Sequence, residues 1–464
     1  MLALKNLLSL STLVVSLTGL ATSQLVIPIV PELDPFYEPA AGFESMAPGT
    51  VLRSRKIASA YFGLIPNPVE AYQLLYRTTA VDGSAIGSVT TVFAPSNAKK
   101  DRFVSFHTAY DGAARDGKCD PSYSYRFLAP QVNLISSAEF LLLQAFVLDG
   151  NIVSSPDYEG PDAAFGAGRL AGMGVLDSMR AVANFKTLGF TTSKPAVVGY
   201  GYSGGGIATG WAAQLQPTYA PEILIKGWAS GGTPANLTGT ARFVDGTLFS
   251  GFLPQALAGL DAPSAYEAQL SPIYDEYLTP NGQVNLAAAE QICSIQNVPL
   301  FAFQQIQSTK FQTLGDRILY EPTVRLVLDE NLMGQSQKET PKVPVYLFHA
   351  PDDEIIPYTN ATTLREEWCN YGASVEFVTV ANGGHATTEV LGFPGAFNFV
   401  KAAFAGTAAK GCSQKTILDD SLNPIALGAS LEPILVKLIN TLVTAGRKDA
   451  NIIADTSVLN QTVT

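Results

Sequence analysis

Two rhythms of apolar positions alternate along this chain. Ala71 to Thr79 and Gly87 to Phe93 alternate or run apolar on either side of Asp82-Gly83, a pattern that predicts a hairpin. Short apolar strands are expected at Arg102 to Phe106, Asn151 to Ser155, Pro195 to Tyr200, Ile223 to Ala229, Val343 to Phe348 and Val375 to Val380. Between them, Arg169 to Leu188 sets Leu170, Met173, Leu176, Met179, Val182 and Phe185 at helical spacing. Helices are also expected directly after Tyr200, from about Thr359 to Tyr371, and from near Thr387. Strand, helix, strand, helix is the rhythm of an α/β fold with a mostly parallel sheet and right-handed crossovers.

Three stretches depart from that rhythm. Gln24 to Arg55 is Pro-rich and aperiodic, as expected of an extended arm over the domain surface. Asn236 to Leu328 is rich in Ala, Leu and Gln and reads as several helices, a block inserted between two sheet strands as a cap or lid. Near the end, Leu431, Ile434, Leu435, Leu438, Ile439 and Leu442 form a stripe expected to dock on the domain as a helix or flap. The organisation is then a signal segment over 1–23, a first core part over 24–235, a helical cap over 236–327 and a second core part with the C-terminal helix or flap over 328–464.

Composition narrows the setting. The chain has 464 residues, 47% hydrophobic and 15% charged, which describes a large globular core. Its net charge of -11 argues against a nucleic-acid partner. At the start, Lys5, the apolar run Leu7 to Leu20 and Ala21-Thr22-Ser23 read as a secretory signal, so the mature protein is expected outside the cell. No later run reaches the length of a membrane span. In that compartment Cys119, Cys293, Cys369 and Cys412 imply two disulfides with three possible connectivities. With three histidines and no zinc spacing, neither a metal site nor a cofactor is expected. Sequons stand at Asn236, Asn360 and Asn460.

The chemistry centres on Gly201-Tyr202-Ser203-Gly204-Gly205, between the strand at Pro195 and a helix of small residues. A G-x-S-x-G in that setting is a nucleophile elbow, whose cramped turn lifts the serine oxygen clear of the sheet and beside helix N–H groups. A serine hydroxyl needs a neutral imidazole, and the imidazole needs a carboxylate. His385 comes last, on a Gly-Gly turn between strand and helix, and is the expected base. His107 and His349 are expected as wall residues. Asp352 and Asp353 both occupy the loop before His385, and position alone does not choose between them; Asp329 and Glu330 are weaker alternatives. The oxyanion hole needs a donor besides the Gly204 amide. Asp111, early in the chain at Tyr110-Asp111-Gly112, occupies a suitable place and can donate if burial keeps it protonated. It can equally be a turn residue before Gly112.

The ordered blocks DPFYEPAAGFE, PGTVLRSR, AYQLLYRTT, SSPDYEGP, GYSGGG, FHAPDDEIIPY and GGHATTEV, spread from about Asp34 to Gly411, resemble the fungal secretory lipase family. The resemblance implies an α/β-hydrolase fold with an inserted helical cap, running from Asn236 to Ser308 or a little beyond. It places the nucleophile on Ser203, the acid on Asp353, the base on His385 and the oxyanion donors on Gly204 and Asp111. It also implies that Cys119 pairs with Cys293 and Cys369 with Cys412. The implied activity is a secreted, monomeric serine ester hydrolase acting on acylglycerols at a lipid–water interface. Rival readings are an esterase of small acyl groups on a secreted metabolite, a serine peptidase, and an inactive binding protein.

Overall fold

The structure, a computed structural model, describes residues 27–417. The expected signal segment, the sequon at Asn460 and the stripe from Leu431 to Leu442 lie outside the described residues. Ten strands form one sheet: β1 (Val51–Ile57), β2 (Glu70–Thr79), β3 (Ala85–Ala94), β4 (Arg102–His107), β5 (Ile152–Pro156), β6 (Ala196–Tyr202), β7 (Ile225–Gly231), β8 (Val345–His349), β9 (Val375–Val380) and β10 (Ser413–Ile417). Their order across the sheet is β1-β2-β3-β5-β4-β6-β7-β8-β9-β10. From β5 onward every neighbouring pair is parallel, whereas β1, β2 and β3 are joined antiparallel at one side. This is the α/β-hydrolase fold. The parallel strands are buried on both faces, which is why they read as unbroken apolar runs.

Each face has its own core. On one side α2 (Gly168–Asn184), α3 (Gly204–Tyr219) and α10 (Tyr358–Asn370) cover Leu74, Val92, Val197, Trp228 and Leu347. On the other, α1 (Leu134–Leu148) and α11 (His385–Ala405) cover Phe93, Phe106, Tyr200, Phe348 and Val378. Alternation along one strand, Val197 to one face and Val198 to the other, is the period-two geometry of a sheet. Aromatic rings weld the second face together, with Phe146 set between Tyr200, Phe393 and Phe397 at centroid distances of 5.7, 5.5 and 5.2 Å.

Three elements differ from expectation. The arm is not aperiodic throughout: β1 pairs antiparallel with β2 at the sheet edge. Its sequence VLRSRKI hides the alternation because its Arg and Lys side chains pack by their stems, as Arg55 does over Phe36 at 4.0 Å while bonding Asp34. Helix α1 was not anticipated, because eleven of its residues are buried and so no 3.6-residue stripe stands out. The edge strand β10, SQKTI, is polar and exposed along most of its length, so it carries no apolar signal.

Between β7 and β8 the chain forms six helices, α4 (Leu237–Val244), α5 (Phe252–Leu260), α6 (Glu267–Tyr277), α7 (Pro280–Ala289), α8 (Ser294–Leu300) and α9 (Pro322–Glu330), the last running past residue 327. They have apolar clusters of their own, around Tyr266 and Val327 and around Val244 and Phe301. Disulfides join Cys119 to Cys293 and Cys369 to Cys412. The first ties the loop after β4 to the start of α8, with both cysteines fully buried.

Cys119 and Cys293 are 174 residues apart, so their link removes much freedom from the unfolded chain. Replacing both with Ser is expected to cost about 2–4 kcal/mol of stability, read as a lowered denaturant midpoint.

Candidate active site

The end of β6 sets the geometry. Ser203 sits at φ 53° and ψ -120°, a strained backbone for a residue with a Cβ, and α3 begins at the next residue. The turn is closed by contacts only glycine permits: a Cβ on Gly201 would lie 2.3 Å from the Gly205 carbonyl oxygen, and one on Gly205 would lie 1.9 Å from that of His107. The elbow therefore rests directly on the end of β4, and the loop that follows β4 is held beside it.

Ser203 Oγ lies 2.7 Å from His385 Nε2, and His385 Nδ1 lies 2.7 Å from Asp353 Oδ2. His385 opens α11 and Asp353 lies in the loop after β8, so three sheet elements converge. Asp353 Oδ1 accepts the N–H groups of Ile355 and Ile356 at 2.9 and 2.7 Å. Although burial opposes ionisation, His385 and His349 hold the Asp353 carboxyl well below its ordinary range. Asp352 is exposed. Asp329 pairs with Arg325 on the outside of α9, so it and its neighbour Glu330 stand apart from this convergence.

Two further groups hold His385. Glu354 accepts its backbone N–H at 2.8 Å, and Tyr202, the residue before the serine, donates its hydroxyl to the His385 carbonyl at 2.7 Å. Sequence reasoning missed both; the only signal was adjacency, Glu354 to Asp353 and Tyr202 to Ser203. Burial opposes protonation of His385, yet Asp353 first, then Glu354 and Glu389, raise it to about 9. Glu354 and Glu389 themselves titrate near 7 because burial disfavours their charge, so below that pH Asp353 alone does the lifting.

The other two histidines are structural walls of different kinds. His107 is fully buried, contacts Thr209 Oγ1 at 2.7 Å and Ser105 Oγ at 3.0 Å, and burial depresses it to about 3, leaving it neutral. His349 ends β8 and touches the Asp353 loop, with Nε2 3.0 Å from the Ile356 carbonyl.

Asp111 has a positive φ of 46° and is 3% exposed. Its Oδ1 meets no hydrogen-bond partner and sits so close to Gly204 that a Cβ there would lie 1.7 Å from it. Burial lifts Asp111 to about 7, against a smaller pull from His385. Gln255 of α5 donates to its backbone carbonyl, which couples the loop to the cap. Asp111, Ser203 and Gly204 line one and the same cavity. Most of the remaining lining is apolar and comes from the inserted segment between β7 and β8, including Val244, Leu257, Leu270, Ile273 and Val327.

The sequons fare differently. Asn236 is half-buried and caps α4 by accepting the Gly239 N–H. Asn360 is only 6% exposed, and its amide donates to the Asn236 carbonyl and Thr240. A glycan on Asn360 would break both bonds. Among the described residues no cluster of three His, Cys, Asp or Glu is arranged to hold a metal, and no helix is long and apolar enough to cross a membrane.

The family described as Secretory lipase matches residues 126–411. A secreted triacylglycerol lipase of Malassezia furfur is 40% identical, covering 87% of this chain and 82% of its own. One from Malassezia restricta is 39% identical over 82% of this chain and 81% of its own. Among solved structures, Candida antarctica lipase A in its closed state superposes with a TM-score of 0.79 at 30% identity, covering 90% of this chain and 96% of that one.

The buried carboxyls set a pH dependence. Asp111, Asp157, Glu354 and Glu389 titrate near 7, against ordinary values of 3.8 for Asp and 4.5 for Glu, with desolvation the leading cause in each. A raised carboxyl binds more protons folded than unfolded, so its contribution to stability is complete below the unfolded pKa and lost as pH rises through the folded one. His385, raised from 6.5 to about 9, adds a loss of the same sign at higher pH. Asp353, depressed, loses its contribution only in strong acid. Thermal scans are therefore expected to give the highest midpoint near about pH 4–5 and a fall of at least about 5 °C by about pH 9.

Proposed function

Because the chain belongs to the secretory lipase family, we propose that it is a secreted triacylglycerol lipase whose nucleophile is Ser203, with His385 as base, Asp353 as acid, and Gly204 and Asp111 as oxyanion donors. The observation that carries this reading is the Ser203–His385–Asp353 alignment, with Ser203 opening on a largely apolar cavity. A chain of methylenes is the ligand such a wall favours, at about 0.8 kcal/mol for each one removed from water.

In this mechanism the Ser203 proton passes to His385 Nε2 as the oxygen attacks the ester carbonyl. The tetrahedral oxyanion takes hydrogen bonds from the Gly204 N–H and from the protonated Asp111 carboxyl, whose unpartnered Oδ1 already faces Gly204. His385 then protonates the departing alcohol, and water, deprotonated by the same imidazole, releases the fatty acid from Ser203. The anionic, multiply bonded Asp353 stabilises the imidazolium throughout.

The lipid surface itself is the proposed docking partner of the cap. Phe243, Leu300 and Phe303 are exposed apolar residues there, and the Phe303 N–H meets the Thr247 carbonyl at 2.7 Å. Phe303 holds a φ of 62°. They adjoin Val244 and Ile306, which line the cavity.

Ser203→Ala is expected to abolish hydrolysis of nitrophenyl esters and triglycerides while leaving the thermal midpoint within about 2 °C. For the wild type, a series of graded acyl length should favour medium or long chains; a preference for acetate or butyrate would overturn the lipase reading. Asp111→Leu is expected to lower kcat about 100- to 1000-fold with little change in KM, whereas Asp111→Asn, which keeps an N–H donor, should retain more.

A further inference from the structure

His349 is fully buried, and its Nδ1 meets no hydrogen-bond partner. A proton there would be left unpaired inside the protein, so the ring donates from Nε2. That Nε2–H donates to the Ile356 carbonyl at 3.0 Å and lies 3.2 Å from Asp353 Oδ2. Oδ2 is the oxygen that meets His385 Nδ1 at 2.7 Å, so two imidazoles converge on one carboxylate oxygen. Ile356 also gives its N–H to Asp353 Oδ1 at 2.7 Å, so the turn that carries the acid is held at Ile356 from both sides.

We propose that His349 is a positioning residue for the acid of the relay: its Nε2–H fixes the Ile356 turn and draws on Asp353 Oδ2, so that Asp353 orients His385 without holding its proton too tightly. The inference rests on the reading of Ser203, His385 and Asp353 as that relay. An oxygen that faces two donors is a weaker acceptor toward each. Without His349, Oδ2 serves His385 alone, the imidazolium is stabilised further, and the base becomes free only at higher pH.

Other groups that face this pair are spread over several elements. His385 is met by Asp353 and Glu354 from the loop after β8, by Glu389 one turn along α11, by Asp111 from the loop after β4, and by Ser203 and Tyr202 at the elbow. His349 is met by Asp353 and by the ring of Tyr358 on α10, whose hydroxyl bonds Thr379 of β9.

The test compares His349→Leu, which keeps bulk and removes the donor, with His349→Gln, whose amide reaches about as far as Nε2. Full-length protein is assayed on a soluble nitrophenyl ester between about pH 5 and pH 10, and the downfield Nδ1–H proton of His385 is titrated by NMR. In His349→Leu we expect kcat to fall about tenfold near neutral pH, KM to stay within about twofold, and the acid limb and the NMR titration to move upward together. His349→Gln should restore most of both. Should His349→Leu fail to fold, His349→Asn, whose arm is too short, replaces it with the same expectation. A donor-lacking variant with the wild-type kcat, acid limb and NMR titration would overturn the proposal. Equal losses in the Gln and donor-lacking variants would overturn it too, since packing alone would then account for them. The resonance needs no substrate, so a wild type inactive on every ester would sink the proposed function while leaving His349 to be judged by NMR alone.

Discussion

The approach of the Gly205 backbone to the carbonyl of His107 is the constraint on which the site depends. With less than a side chain's width between the elbow and the end of β4, the serine cannot relax to an ordinary φ without driving α3 into the sheet. The strain is borne by the packing of β6 between β4 and β7 and by α3 against α2. One contact thereby fixes two things at once. It aims the serine oxygen outward, and it holds the loop after β4 where the Asp111 carboxyl faces Gly204.

Around that point the protein concentrates carboxyl groups in a way that an ordinary core avoids. Asp111, Glu139, Asp157 and Glu159 are each at most 3% exposed, and burial lifts all four. They are not idle. Glu139 accepts the Ala109 N–H and Glu159 the Gly112 N–H, so the loop that presents Asp111 is gripped by a carboxyl two residues to one side and one residue to the other. A neutral acid can hold such a loop without adding a second full charge next to Asp111. The arrangement suits the oxyanion role proposed for a protonated Asp111, and its cost is the stability that is lost as pH rises.

Much of this was legible in the sequence because strong local chemistry and strong periodicity coincide there. The strand ending in Gly-Tyr-Ser-Gly-Gly needed no tertiary information, since only glycine suits the positions flanking such a serine. His385 followed from chain order among three histidines. Choosing Asp353 over Asp352 did not follow from position: the two differ in which one the turn buries, and that is set by Ile355 and Ile356 donating to one carboxylate. Helix α1 and strand β10 were illegible for opposite reasons, one buried nearly all round and the other hardly buried at all. Glu139 and Glu159 lay beyond reach too, because nothing near them in sequence marks a carboxyl that will be buried against a loop 30 or 47 residues away.

The inserted helices and the sheet edge solve different halves of one problem. The proposed mechanism must stabilise charge at Ser203, which asks for donors and a fixed carboxylate, while an acyl chain asks for a dry apolar wall. Seating both in one cavity brings ionisable groups close to hydrocarbon, and there the neutral form of an acid is favoured. Gln255 of the cap is bonded to the carbonyl of Asp111, and Cys293 of the cap is bonded to Cys119 a few residues further along the same loop. The apolar wall and the Asp111 loop are thus linked at two points. Through the Gln255 bond and the Cys119–Cys293 link, α5 and the start of α8 are each tied to the loop that carries Asp111.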